Sequence, residues 1–362
     1  MTDPLFNASQ PLFRVAGQAA DDLTRDVLQV EVHEGCDGLR TLVARFVAQG
    51  AQRGGSSVAT ESLLYLDGAL FDFGKALQLT LGPESTAQRV FDGKISAIEA
   101  SFRPQREPQV VVRAEDRLMD LRMTRRVKTY ENASDADIAR AIAAEHGLAA
   151  VADADGPTYD RVQQWNQSDL AFLRERARLI DAELWLADGT LHFQPRANRA
   201  APALTLVQGN QLLELELAAD LAHQRTRVQV SGFDAAQRDG IDEDAGDDAI
   251  AAEITSGRSG VQVLQSAFGE RVSLRVREAP LVAAEATAWA RAELLRRARG
   301  FVQARGVTDG SAAMAVGSLL RLEGVGAPFE GDGYCVTDLR HSWDRSAGFR
   351  TRFAAERSTV NL

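Results

Sequence analysis

Cysteine is nearly missing from this chain: Cys36 and Cys335 are the only two in 362 residues. Two thiols almost a chain length apart make neither a disulfide scaffold nor a four-ligand zinc site, and such usage fits synthesis in a reducing cytosol. Proline is scarce at 10 while glycine reaches 29, a balance that fits a turn-rich protein more than a disordered one. No uncharged apolar run approaches the roughly 18 residues a membrane helix needs. The start, Met1-Thr2-Asp3-Pro4, has no basic segment and no apolar stretch after it, so no signal peptide is read. Positive charge is in deficit, 41 Lys and Arg against 51 Asp and Glu for a net −10, which argues against a nucleic-acid coat or a polybasic membrane binder. What is present is ordinary for globular proteins: 45% hydrophobic and 25% charged residues. The length suggests roughly two or three domains.

Catalytic signatures are missing too. The five histidines, His33, His146, His192, His223 and His341, are scattered, with no i, i+4 pair for a metal. There is no Gly-x-Ser-x-Gly elbow, no Walker loop and no Gly-x-Gly-x-x-Gly opening a helix. Gly324-Val325-Gly326-Ala327-Pro328 reads as a turn between strands, and nothing near Cys36 would lower its pKa. The acidic run 239–248 invites a calcium reading, with Asp242, Asp244 and Glu253 at positions one, three and twelve. Gly246 occupies position five, where a ligand oxygen is needed, and no capped helix flanks the run, so 234–248 is read as a solvated, mobile loop. No focused carboxylate pair points to glycoside hydrolysis. No catalytic residue, cofactor or metal is assigned, and an enzyme is not expected.

The architecture expected is α+β, β-dominated. Residues 1–119 alternate as strands, with Pro11-Leu12-Phe13-Arg14-Val15 and 27–32 showing period two; 39–47 is apolar-rich and 51–57 a polar loop. Residues 120–202 read as an α+β domain. Ser134 caps a helix with Ile138, Ala141 and Ile142 on its stripe and Gly147 as its stop; Ser168 caps a second with Leu170, Leu173, Ala177 and Ile180. Asp188-Gly189 then marks a hairpin. Residues 203–362 return to strands, with the acidic loop and one long helix opened by Pro280, carrying Ala288, Trp289, Ala292 and Leu295 and stopped by Gly300.

Two stretches match feature by feature. Leu77-Gln78-Leu79-Thr80-Leu81-Gly82, Val90-Phe91-Asp92-Gly93 and the strand 95–98 parallel Leu320-Arg321-Leu322-Glu323-Gly324, Pro328-Phe329-Glu330-Gly331 and the strand 334–339. Each copy ends with an arginine-bearing turn and one more strand, which favours a duplicated β-barrel. A basic cluster, Arg113, Arg117, Arg122, Arg125, Arg126 and Lys128, reads either as a solvated face or as a surface for an acidic neighbour.

The middle segment resembles the phage late control D family. One signature runs from Lys128-Thr129-Tyr130 through Ser134-Asp135-Ala136-Asp137 to Glu145-His146-Gly147-Leu148. A second runs from Val162-Gln163-Gln164-Trp165 through Ser168-Asp169-Leu170-Ala171-Phe172-Leu173 to Gly189-Thr190-Leu191, and the close, Pro328-Phe329-Glu330-Gly331 to Phe349-Arg350-Thr351-Arg352-Phe353, is similar. That family contains the baseplate hub of contractile tails and the hub half of VgrG spike proteins. The residues carrying its pattern are Gln164, Ser168, Asp169, Phe172, Leu173, Trp185, Gly189, Gly331 and His341, for most of which a folding role is expected; His341, just after a strand beside Trp343, is read as a packed or rim residue.

The resemblance implies two similar β-barrels with an inserted α+β domain, assembled as a homotrimer whose six barrels make a pseudo-sixfold ring. Such a ring adapts a sixfold tail tube to a threefold central spike, and duplication is what an adapter of that symmetry needs. VgrG-type chains continue into a further barrel and needle, so a separate spike protein is the expected partner, beside tail tube and other baseplate proteins. Three copies would carry a charge that repels DNA if it lines a central channel. Neither membrane insertion nor specific nucleic-acid binding is expected, and the protein would be made in the bacterial cytoplasm and built into a phage tail or injection particle. The alternative is a tail-associated carbohydrate-binding or cell-wall-degrading protein.

Overall fold

The computed structural model describes residues 10–51, 61–83, 85–254, 256–275 and 282–361; the polar stretch 52–57 and Pro280 lie outside them. Apolar–polar alternation builds the first strands: β1 (Leu12–Val15), β2 (Val27–Gly35), β3 (Thr41–Val47), β4 (Ala76–Leu81), β5 (Gln88–Ser101) and β6 (Gln109–Glu115). β3 and β4 bury every second side chain, as a sheet with one face on a core requires. That core holds Phe13, Phe46, Phe71, Leu77 and Phe91.

The middle follows its caps. β7 (Arg125–Ser134) runs into α1 (Asp135–Glu145), where the Ser134 hydroxyl accepts the Asp137 N–H at 3.2 Å and the Asp137 carboxylate accepts the Ser134 N–H at 3.1 Å. β8 (Thr158–Ser168) pairs antiparallel with β7 and delivers α2 (Asp169–Leu179). Leu170, Leu173, Ala177 and Ile180 are buried. β9 (Ala182–Ala187) and β10 (Thr190–Pro195) form a hairpin whose two turn residues, Asp188 and Gly189, have φ of 46° and 77°, the left-handed pair that matches strand twist.

The last part holds β11 (Ala203–Val207), β12 (Leu212–Ala219), β13 (Arg227–Asp234), β14 (Asp239–Ala245), α3 (Gly260–Phe268), α4 (Ala283–Arg299), β15 (Val302–Asp309), β16 (Leu319–Glu323), β17 (Gly331–Asp344) and β18 (Gly348–Arg357). Three expectations change here. Most of the acidic stretch is strand: β14 pairs with β13 from Asp234↔Asp239 to Val228↔Ala245. Ile241 and Ala245 are buried while Asp242 and Asp244 project from the other face, a period-two pattern that the charges hide. Helix follows it, first the short turn Asp248–Ala251 without a side-chain cap and then α3 with its Ser259–Gln262 capping box. His341 lies inside β17 rather than after a strand, because the strand runs on to Asp344.

A thirteen-stranded sheet unites the two ends of the chain. Taken in chain order, β2 to β6 are arranged β4-β5-β6-β3-β2, and β12 with β15 to β18 are arranged β16-β17-β18-β15-β12. All neighbours within each set are antiparallel. The irregularities recur as well: Val27/Gln29 against Leu212/Glu214 and Ile95/Ala97 against Val336/Asp338. The two sets are therefore the same five-stranded unit used twice. Packing does not follow chain order everywhere, since Val228, Val230, Ile241, Trp289 and Leu294 share a core with Ile142 and Leu173.

Candidate functional site

Five of the nine motif residues meet where β8 turns into α2. Asp169, fully buried, accepts from Arg126 Nε at 2.9 Å and from Gln164 Nε2 at 2.8 Å, and its other contact is His146 Nε2 at 2.8 Å. Its own N–H donates to the Thr124 carbonyl at 2.9 Å. A carboxylate out of water needs such partners, and here they tie β7, the end of α1 and the start of α2 together. Ser168 caps α2 by accepting the Ala171 N–H at 3.2 Å. Phe172 stacks on Tyr130 at 5.9 Å, and Leu173 is fully buried.

The other four stand elsewhere. Trp185 on β9 stacks on His192 at 4.8 Å and lies under the Arg199 guanidinium at 5.0 Å. Gly189 makes the hairpin turn. Gly331 opens β17 with φ 113°. His341, 4% exposed, meets Thr351 Oγ1 through Nδ1 at 3.0 Å, and burial pushes its pKa down to about 4.

Sequence reasoning missed the ionic joint at the centre. Glu34 on β2 accepts from Arg40 at 2.8 Å and from Arg199 at 2.5 Å; Arg199 also reaches Glu183 at 3.3 Å. Arg196 bridges Glu183 at 2.8 Å and Glu356 at 2.5 Å. The chain joins first unit, middle segment and second unit across as many as 165 residues, so no local spacing announces it. Removing one partner from such a network would leave a buried charge unpaired. Beside it β2 and β17 pair over seven residues, from Asp338↔Gly35 to Asp344↔Gln29, with His33 Nε2 2.7 Å from Asp338.

An open groove of about 1340 Å³ runs beside α4 and β16. Four of the carboxylates lining it are held by arginines: Asp181 and Glu253 on Arg299, both at 2.6 Å, Glu356 on Arg196, and Asp332 on Arg321 at 2.8 Å. Cys36 and Cys335 are free thiols, and burial lifts Cys36 to about 11. Among the described residues, no group of three His, Cys, Asp or Glu side chains could hold a metal, and no helix is long and apolar enough to cross a membrane. The basic cluster is spent internally: Arg113 on Glu99 at 2.6 Å, Arg122 on Glu115, Arg126 on Asp169 and Glu145, and Lys128 on Glu145 at 2.5 Å.

Comparisons with known proteins follow the fold. No curated protein matches the sequence. A 43 kDa tail protein of prophage MuSo2 from Shewanella oneidensis superposes with TM-score 0.67 at 14% identity, covering 97% of this chain and 99% of that one. A tail protein from Neisseria meningitidis gives 0.65 at 12% identity, with 96% of each chain covered. A type VI secretion component from E. coli, described as structurally similar to bacteriophage T4 tail proteins, gives 0.56 at 14% identity, with 92% of this chain and 73% of that one covered. The fold is thus that of phage tail and type VI secretion proteins, in keeping with the baseplate-hub resemblance of the sequence. The sequence also matches the family described as the Alg8 N-terminal domain over residues 15–344, and the chain belongs to that family.

Proposed function

We propose that this protein is the structural baseplate hub of a contractile tail or injection particle, a homotrimeric adapter between a sixfold tail tube and a threefold central spike. The observation that carries the proposal is the five-stranded unit used twice. Three chains then present six like units to a sixfold tube and three whole chains to a threefold spike. In this account residues 1–119 and 203–362 supply the two similar barrels and 120–202 the α+β part between them. Its proposed neighbours are the central spike, the tail tube and other baseplate proteins. The role is mechanical and non-enzymatic: ion-paired carboxylates and buried motif residues favour fixed geometry over turnover. Synthesis is cytoplasmic, followed by incorporation into the particle. Electron microscopy of the purified protein tests the proposal: end-on averages should show six lobes related by threefold symmetry. Averages with one or two lobes and no rotational symmetry would refute it.

A further inference from the structure

The chain carries the two halves of a second joint that it does not close by itself. In the first joint the outer part of β17 lies antiparallel on β2. Matching the two five-stranded units ladder by ladder makes β12 the counterpart of β2 and β5 the counterpart of β17. Leu42 lies opposite Val32 as Ala304 lies opposite Leu217, and Ile95 opposite Ala114 as Val336 opposite Ala355. The counterpart joint would therefore set β12 against residues 97–103. Yet β12 ends the sheet beyond β15, and 97–101 pair on one edge with β6 while β4 reaches only to Lys94.

Resting on the trimer proposed above, we infer that β12 of one copy adds as an antiparallel strand to residues 97–103 of the next. Carrying over the register of the first joint places Phe102 opposite Leu215, Ala100 opposite Leu217 and Arg103 opposite Glu214. Exposure fits this placement. Phe102 is 61% exposed, whereas its counterpart Trp343 packs against the first core; Ala100 is exposed, whereas His341 is buried. Val30 and Val32 on β2 are buried, whereas Leu215 and Leu217 on β12 are half-covered. Arg103 facing Glu214 adds an opposite-charge pair. Glu99 and Glu216 stand where Arg340 and Glu31 pair at 3.4 Å in the first joint, but Arg113 already neutralises Glu99. The contact would also cover two strand edges otherwise open to misassociation.

Disulfide trapping tests the register, since directly opposed antiparallel residues lie about 4.5–5.5 Å apart at Cα, within disulfide reach. In a Cys36→Ser background, the double variant Ala100→Cys/Leu217→Cys should yield covalent trimers on mild oxidation. Neither single variant, nor the off-face pair Ser101→Cys/Leu217→Cys, should do so. Phe102→Asp, whose side chain is exposed within one chain, should keep the wild-type fold by circular dichroism and shift the mass from trimer to monomer. A trimer by light scattering that neither cross-links at this pair nor dissociates with Phe102→Asp overturns the strand contact and leaves the hub proposal standing. A wild-type chain that stays monomeric up to millimolar concentration overturns both.

Discussion

Leu173 is the plainest case of a residue whose role follows from its position. It stands three residues after Leu170 on a helix capped by Ser168, and its side chain is fully buried. Leu173→Ala should cost about 2–5 kcal/mol through the cavity it leaves, and Leu173→Asp should abolish the soluble fold by burying an unpaired charge. A soluble Leu173→Asp protein with a cooperative thermal transition would contradict the placement of that helix face. His341 offers a pH test. Its pKa falls from 6.5 to about 4 because burial disfavours the imidazolium. The stability it contributes is complete above pH 6.5 and is lost as pH falls through 4, for a total of about 3 kcal/mol. Asp116 runs the other way, since burial raises it to about 6 and its contribution grows as pH falls through that value. The difference in melting temperature between wild type and His341→Gln isolates the histidine: the wild type should lose ground on the variant between pH 6.5 and 4.5. An unchanged difference would contradict a buried neutral ring. Ser168 and Leu173 were legible because caps and stripes are local. The partnership of Glu34 with Arg199 was not, because only the folded sheet brings these residues together.

Elements were read well where chain chemistry punctuates them and poorly where charge masks the period. Ser134 with Asp137, and Asp188 with Gly189, mark their helix and turn in a few residues. Gly189 has φ 77° with no atom within 4 Å of an added Cβ, so strain, not crowding, governs substitution there. Gly189→Val should cost about 1–2 kcal/mol and lower the melting temperature while leaving the circular dichroism spectrum unchanged; an undiminished melting temperature would contradict the left-handed turn. β14 shows the opposite case. Six acidic residues in 239–248 precede or follow Ile241 and Ala245, and their charges hide the buried alternation. α3 was legible in principle, since Ser259 and Gln262 have capping-box spacing, but its chain of Gly260, Val261 and Val263 is a poor helix advertisement.

At the scale of the molecule, the repeat between Leu77 and Leu320 marks the third strand of each five-stranded unit, and their ladders start alike, Ala76↔Lys94 and Leu77↔Gly93 against Leu319↔Cys335 and Leu320↔Tyr334, before shifting at different positions. The first and second strands of the units, β2 and β3 against β12 and β15, share no visible motif. Their equivalence rests on pairing and register, which a sequence does not display. In the proposed trimer, duplication links fold to assembly: a chain with two like units has two like faces, and the joint closed within the chain would have its twin closed between chains. The most direct test is the solution mass of the purified wild-type chain by light scattering across a wide concentration range. The account predicts a species near three times the 39.2 kDa chain mass. A strict monomer at every concentration would contradict it.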